Sequence, residues 1–359
     1  MKTYKIILKP RSSIASFPSS DTLFGAICWG IKFIYSEKGD SGLNKILKRF
    51  IEEKPPFLLS SSFPMLKNGD VRIFFYPKPI RKDLSSNEVE EIAKNYQEKF
   101  GNLKKSKVAI ISELKKFKKA SFISEDIFKK ILDGEKEKNL FLKYLDGEIK
   151  LIWKLLMTNE EYNKIFTNAE RPKILTNILI QKNLLDRISF STTPGGQIFY
   201  SNEYFLAPNV NLYFLLKTDD IDYLKPVFKY LEDSGIGRDR FTGKGNFKFS
   251  EPEECVLPTN EENTFITLSR YIPRIEEIVV NKEKMYYEII SYYSKVDSTF
   301  EFKGEDVFKD KVIYIKEGSI FEAKEKKDFY GVTPIVKKLN EKQILQYGLA
   351  FPIFGKVGE

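Results

Sequence analysis

Residues Gly235 to Phe247 read GIGRDRFTGKGNF, and the order of elements around this stretch decides how the chain is read. Four of the chain's twenty glycines fall in it, at Gly235, Gly237, Gly243 and Gly245, interleaved with Arg238, Arg240, Lys244 and one acid, Asp239. Glycine admits positive φ and lets a second molecule approach the main chain. Cations beside such a backbone suit a polyanion. Upstream, Tyr223 to Glu232 places Leu224, Val227, Phe228 and Leu231 at helical spacing, with Gly235 where a C-cap glycine belongs. Downstream, Asn246 to Phe249 reads as a strand with Phe247 and Phe249 on one face. The order is therefore helix, loop, strand. A P-loop or a dinucleotide fingerprint needs the reverse, with the phosphates at a helix N-terminus. Spacing agrees: five residues separate Gly237 from Gly243 where a P-loop has four, and Gly245 rather than Ser or Thr follows Lys244. Two readings stand: a track of amides and cations for a strand of phosphates, or a structural tight turn.

The chain has 359 residues, 42% hydrophobic and 30% charged, enough for two ordinary domains. Its formal net charge of +9 favours polyanionic partners. There is no histidine, which removes the commonest general base, the commonest zinc ligand and the imidazole of nucleophilic triads. Carboxylates, Lys, Tyr and bound magnesium pass that filter. The two cysteines, Cys28 and Cys255, have no metal-ligand spacing, so a reducing cytoplasm is expected, with no disulfide framework and no cofactor. The start, MKTYKIILKP, lacks a signal-peptide core, and no run approaches the roughly 18 apolar residues of a membrane span.

Taken in order, Tyr4 to Lys9 reads as a strand and Thr22 to Tyr35 as a helix with an apolar stripe that includes Cys28. Ser19, Ser20 and Asp21 precede it; they offer ordinary capping or a phosphate site. Phe57-Leu58-Leu59 and Val71 to Tyr76 suggest a hairpin turning at Lys67-Asn68-Gly69-Asp70. From Lys78 to about Lys182 the composition turns to Lys/Glu-rich helical segments, read as an insertion without strands. A hairpin signal returns around Pro194-Gly195-Gly196-Gln197, between Ile188–Ser191 and Ile198–Tyr200, with Arg187, Ser189, Ser191 and Thr193 on one face. The acidic, proline-bearing run 251–263 reads as a linker. Beyond it come a strand at Thr264–Tyr271, a Tyr-rich helix at Lys282–Ser294, and strands at Thr299–Phe302, Val312–Lys316 and Ser319–Ala323. The fold class is α+β in two domains, 1–252 (insertion about 80–182, glycine-rich loop 235–245) and 262–359.

A helix, a basic glycine-rich loop and a strand near the end of such a domain resemble the hallmark of the RAMP superfamily, RNA-binding proteins of CRISPR systems. The whole chain is similar to the fourth-subunit family of the Csm complex, the type III-A effector. The matching pieces are Ser20 to Ala26, Lys118 to Ile123, Asp186-Arg187, Gly195 and Phe199, GIGRDRFTGKGNF, and Tyr347 to Pro352. Arg238 stands where many members continue the glycine run; it adds a cation and leaves open the close-backbone role of that position. The resemblance implies two ferredoxin-like (RRM-like) domains and a subunit without a catalytic centre. Its expected partners are the 5′ repeat-derived tag of the crRNA, the backbone subunit and the large polymerase-like subunit, with no membrane. Carried over by residue, the RNA site takes Ser19, Ser20 and Asp21, a thumb at Arg187 and Gly195, and the loop residues Gly235, Gly237, Arg238, Arg240, Thr242, Gly243, Lys244 and Gly245. The competing reading is a RAMP-type endoribonuclease acting on CRISPR precursor RNA, for which Tyr200 and Lys244 are the nearest acid–base candidates.

Overall fold

The computed structural model describes residues 1–35, 41–166, 172–183, 185, 186, 188, 189, 191, 192, 198–280, 285–296, 306–339 and 342–357. Strand β1 (Lys2–Pro10) leads into α1 (Ser20–Ile34), α2 (Ser41–Ile51), and strands β2 (Phe57–Leu59), β3 (Phe63–Asn68) and β4 (Val71–Pro77). Helices α3 (Ser86–Asn95), α4 (Gln97–Phe100) and α5 (Leu103–Phe117) follow. Next come β5 (Phe122–Ser124), α6 (Glu125–Leu132), α7 (Glu137–Leu145), β6 (Ile149–Ile152), β7 (Leu155–Thr158) and α8 (Asn159–Ile165). The long strands β8 (Leu175–Asn183), β9 (Ile198–Leu206) and β10 (Val210–Thr218) precede α9 (Ile221–Ser234), β11 (Phe247–Phe249) and β12 (Glu253–Glu254).

One mixed sheet organises this part, in the order β11-β1-β10-β3-β4-β5-β7-β6. β1 lies between β11 and β10, and β10 pairs β3, each contact antiparallel. β5 and β7 are the parallel pair. β10 is apolar almost throughout, VNLYFLLKT, because both its faces are covered. On one face lie α1, through Leu23, Phe24, Ile27 and Ile31, and α9, through Leu224, Val227, Phe228 and Leu231. The two helices approach so closely at Gly30 that a Cβ there would press on Val227. On the other face Tyr213 donates to the Phe75 carbonyl (2.8 Å), and Tyr76 stacks on Phe128 of α6 at 4.4 Å.

The second half is built from β13 (Thr264–Thr267), β14 (Ile289–Tyr292), β15 (Val312–Ile315), β16 (Ile320–Glu322), β17 (Tyr330–Gly331), β18 (Ile335–Leu339), β19 (Lys342–Leu345), β20 (Leu349–Ala350) and β21 (Pro352–Phe354). β16-β13-β21 form a three-stranded sheet, and β14-β15, β17-β20 and β18-β19 are two-stranded ladders. The halves share one core: Tyr347 packs on Phe24 (5.3 Å) and accepts from the Leu59 N–H (2.8 Å).

Four expectations need correcting. The run beyond Lys78 is not strandless: β5, β6 and β7 extend the main sheet across β4, and β8 begins at Leu175. Their short apolar cores are hidden among lysines and glutamates. The hairpin at Gly69 is made by β3, not by Phe57–Leu59, which pairs β10. Ile188 and Ser189 lie in a turn; the partner of β9 is β8, in register from Leu175↔Leu206 to Asn183↔Ile198. Within Lys282–Ser294 the described residues contain β14 rather than a helix, since Ile289 to Tyr292 pair with Val312 to Ile315. Residues 281–284 and the strand expected at Thr299–Phe302 lie outside the described residues.

Candidate nucleic-acid interface

The glycine-rich loop is a tightly bonded turn. α9 ends where the Gly235 N–H reaches the Leu231 carbonyl (3.0 Å). Gly235, Gly237, Gly243 and Gly245 all take positive φ, as does Asp239 at 64°. The Ile236 N–H donates to the Gly245 carbonyl (2.9 Å), so the loop closes on itself, and a Cβ at position 245 would fall inside the Ile236 carbonyl oxygen. Between the closed ends a short 3₁₀ turn, Arg240–Thr242, is held by Thr242 N–H to Asp239 O (2.9 Å) and Gly243 N–H to Arg240 O (3.0 Å). The tip carries the solvent-facing groups. The Arg238 side chain is 74% exposed, Phe241 is 82% exposed, and the Arg240 guanidinium lies 4.5 Å from the Phe241 ring centre. Thr242, also exposed, donates its hydroxyl to the Asp239 carbonyl (2.8 Å).

Lys244 has a different place from the one expected. Its side chain is 3% exposed, beneath the loop, with Nζ 3.0 Å from Glu203, 3.1 Å from Asp239 and 2.9 Å from the Ser201 hydroxyl. Glu203 also accepts from the Ser13 hydroxyl (2.8 Å). Lys244 therefore bolts the loop to β9 and to the segment after β1, with its donors already used. Burial alone would lower its pKa, but the hydrogen bonds to Glu203 and Asp239 prevail and hold it above the ordinary lysine value. Ser201 and Glu203 face inward on β9, whereas Tyr200 points to the opposite, exposed face. Tyr200 and Lys244 are thus not brought together as an acid–base pair.

Ser19, Ser20 and Asp21 form a seam between the halves. The Ser20 N–H donates to Ser61 (2.9 Å), and the Ser20 hydroxyl accepts from the Arg270 N–H (3.0 Å). Asp21 accepts from Ser19 (2.6 Å), from the Arg270 guanidinium (3.1 Å) and from the Gln346 side-chain amide (3.3 Å). Burial works to lower the Arg270 pKa, yet the Asp21 and Glu317 carboxylates raise it above the usual arginine value. The polar groups at the start of α1 are therefore already used within the protein: the Ser20 N–H on Ser61, and the Asp21 carboxylate on Arg270 and Gln346. Arg187 and Gly195 lie outside the described residues; the β8–β9 ladder exposes Leu179, Phe199 and Tyr200.

Arg11 to Ser19 connect the loop to a large cleft. At one end the Arg11 N–H donates to Asn246 O, the Gly245 N–H to Ser13 O and the Asn246 N–H to Ser12 Oγ, at 2.8, 2.8 and 3.0 Å. At the other end Ser16 to Ser19 line a cleft of about 910 Å³. Further walls come from Ser61 to Phe63, β4's exit, the start of β5, α7, the β6–β7 turn, β8, β9 and the second half. Seven cations against four carboxylates face this space. Sequence reasoning missed both the cleft and Phe241. The available signal for Phe241 was a large aromatic inside a glycine-and-charge run, where no apolar periodicity claims it.

No family description matches the sequence. Over 251 residues the chain is 27% identical to a CRISPR system protein, Csm4, of Methanocaldococcus jannaschii, covering 63% of this chain and 65% of the relative's length. In fold it is similar to a chain in the crystal structure of the Csm3–Csm4 subcomplex of the type III-A CRISPR-Cas interference complex. That match has a TM-score of 0.62 and 21% identity, and it spans 98% of both chains. The chain's fold is Csm4-like. A chain of the Csm1–Csm4 cassette in complex with cA4 is also similar, with a TM-score of 0.56, 18% identity and 99% coverage of each. The resemblance seen in the motifs thus extends to the whole Csm4-like architecture. Among its described residues no helix is long and apolar enough to cross a membrane.

Proposed function

We propose that this Csm4-like chain is a non-catalytic, RNA-binding subunit of a type III-A CRISPR effector. It binds the single-stranded 5′ repeat-derived tag of the crRNA and joins the backbone subunit to the large polymerase-like subunit. We read the first half as a ferredoxin-like domain, since β11-β1-β10-β3 with α1 and α9 is a split βαβ order, and the second half, whose β16-β13-β21 sheet carries no helix among the described residues, as a reduced counterpart. The observation that carries the function is the rigid loop tip, where Arg238, Arg240 and Phe241 are displayed together and run, through Arg11 to Ser19, into a cationic cleft. Cations hold phosphates, and an exposed ring beside a guanidinium takes a base face.

The test is binding of a tag-sequence RNA to the full chain and to Arg238→Ala/Arg240→Ala across a salt series. The double variant is expected to bind more weakly, with its log–log salt slope shallower by roughly 0.7 per lost phosphate contact. Unchanged affinity and slope would make the loop structural and defeat the reading. Site-specific cleavage of repeat RNA by the purified chain would defeat its non-catalytic part.

A further inference from the structure

The turn between β6 and β7 contains two residues, Trp153 and Lys154, because Ile152 pairs directly with Leu155. Trp153 takes φ 54°, a conformation that L side chains adopt at a cost and that glycine fills in two-residue hairpins. A bulky ring at a position that disfavours it calls for a compensating use. The ring lines the cleft and is 37% exposed. It is backed by Phe17 at 6.2 Å and Phe122 at 6.5 Å, which leaves a supported aromatic face open to the cavity.

The charges around this face are unevenly satisfied. All four cleft carboxylates have cations: Asp83 with Lys118, Glu137 with Lys78, Glu288 with Lys316 and Glu317 with Arg270. Among the described residues Arg81, Lys82 and Lys154 form no ion pair, although the Glu137 and Glu135 carboxylates also act on Arg81 from a distance. Arg81 spends Nη1 on the Glu135 carbonyl (2.6 Å), while its Nε is buried without a hydrogen-bond partner. Lys154 holds its ammonium 5.6 Å from the Trp153 ring centre and, among the described residues, has no carboxylate beside it. A buried donor without an acceptor is costly unless a ligand supplies one. A flat apolar surface ringed by spare cations matches a ligand that is flat in one part and anionic in another.

We infer that the cleft binds one unstacked nucleotide of a single-stranded RNA, its base on Trp153 and its flanking phosphates on Arg81, Lys82 and Lys154. This rests on the RNA-binding reading above and adds a defined base pocket to it, joined to the glycine-rich loop by Arg11 to Ser19. A free mononucleotide has the same chemistry but lacks the contacts that a strand makes beyond the pocket.

The chain has two tryptophans, and Trp29 lies on α1 against Phe33, away from the cleft. Trp29→Phe therefore leaves Trp153 as the single indole reporter. Titrating this variant with a single-stranded RNA of about eight nucleotides should quench Trp153 emission with the same midpoint as binding measured by anisotropy. AMP should quench only at roughly a hundredfold higher concentration. Trp153→Gly suits the turn's backbone and should melt cooperatively, yet bind the RNA roughly 5- to 100-fold more weakly. Should that variant fail to fold, the quenching titration decides alone. RNA bound with Trp153 emission unchanged would overturn the pocket and leave the tag-binding reading standing. AMP quenching as tightly as the RNA would overturn the strand assignment. Absence of any RNA binding would overturn both.

Discussion

Gly245→Ala is expected to destabilise the chain by roughly 2–5 kcal/mol, the largest loss from any single methyl group in the loop. Two costs add. Residue 245 has φ 67°, which a Cβ penalises, and the new methyl would overlap the Ile236 carbonyl, backbone that has no rotamer to escape by. Moving that carbonyl breaks the closing bond between Ile236 and Gly245 and disturbs the Gly245 N–H bond to Ser13. Gly243→Ala is the control: φ is 87°, but no atom lies within 4 Å of the added Cβ, so only the backbone cost of about 1 kcal/mol remains. Urea unfolding at unchanged m-value measures both. Equal midpoints for the two variants would show that loop closure does not depend on that close approach.

Lys244→Ala is expected to cost about 2–4 kcal/mol, because it removes the cation between Glu203 and Asp239 and leaves the buried Glu203 with only Lys182, 3.5 Å away, as its ion-pair partner. The lower end reflects Asp239, whose partial exposure lets water screen part of the loss. Lys244→Met, which keeps the stem's packing, should cost nearly as much if charge is the cause. The pH dependence has a definite sign. Burial pushes the Glu203 carboxyl up, but hydrogen bonds from Ser13 and Lys244 outweigh it and depress its pKa below 4.5. Its contribution is therefore complete above the ordinary glutamate value and is lost as pH falls through the depressed one. The raised Lys244 pKa acts at the other end: its contribution is complete below 10.5 and is lost as pH rises through the native value. The difference between wild type and Lys244→Met should thus be flat around neutrality and shrink toward both extremes. RNA affinity should fall through misplacement of the loop tip, with the salt slope kept, unlike the Arg238/Arg240 double variant.

The periodic elements were legible in the sequence. The α1 stripe, α9 with its C-cap glycine and the order helix, glycine-rich loop, strand all follow from local spacing, and they were enough to indicate an α+β class. The partners of polar groups were not legible. Lys244 looks like any loop lysine until β9 brings in Glu203, 41 residues upstream in the sequence. Ser19-Ser20-Asp21 has the composition of a cap or a phosphate cradle, and only the folded chain supplies Arg270 as the partner of its carboxylate. β14 was read as a helix because Tyr and Ile recur without a clean period of two; pairing with β15 overrides the local preference. Trp153 carries no local signal, since its left-handed backbone follows from the tight β6–β7 register.

Arg270, held by Ser20 and Asp21, closes one side of the cleft, while the insertion and the β8–β9 ladder form others. A site whose walls come from three separate stretches of chain exists only while they remain assembled. Occupancy and cohesion are then linked quantities: once free strand is in excess of its dissociation constant, each further tenfold rise in its concentration adds about 1.4 kcal/mol to the assembled state. The melting temperature should accordingly climb with the logarithm of RNA concentration. The guide would thus act as a thermodynamic fastener for its own holder, and the chain would be least cohesive when empty.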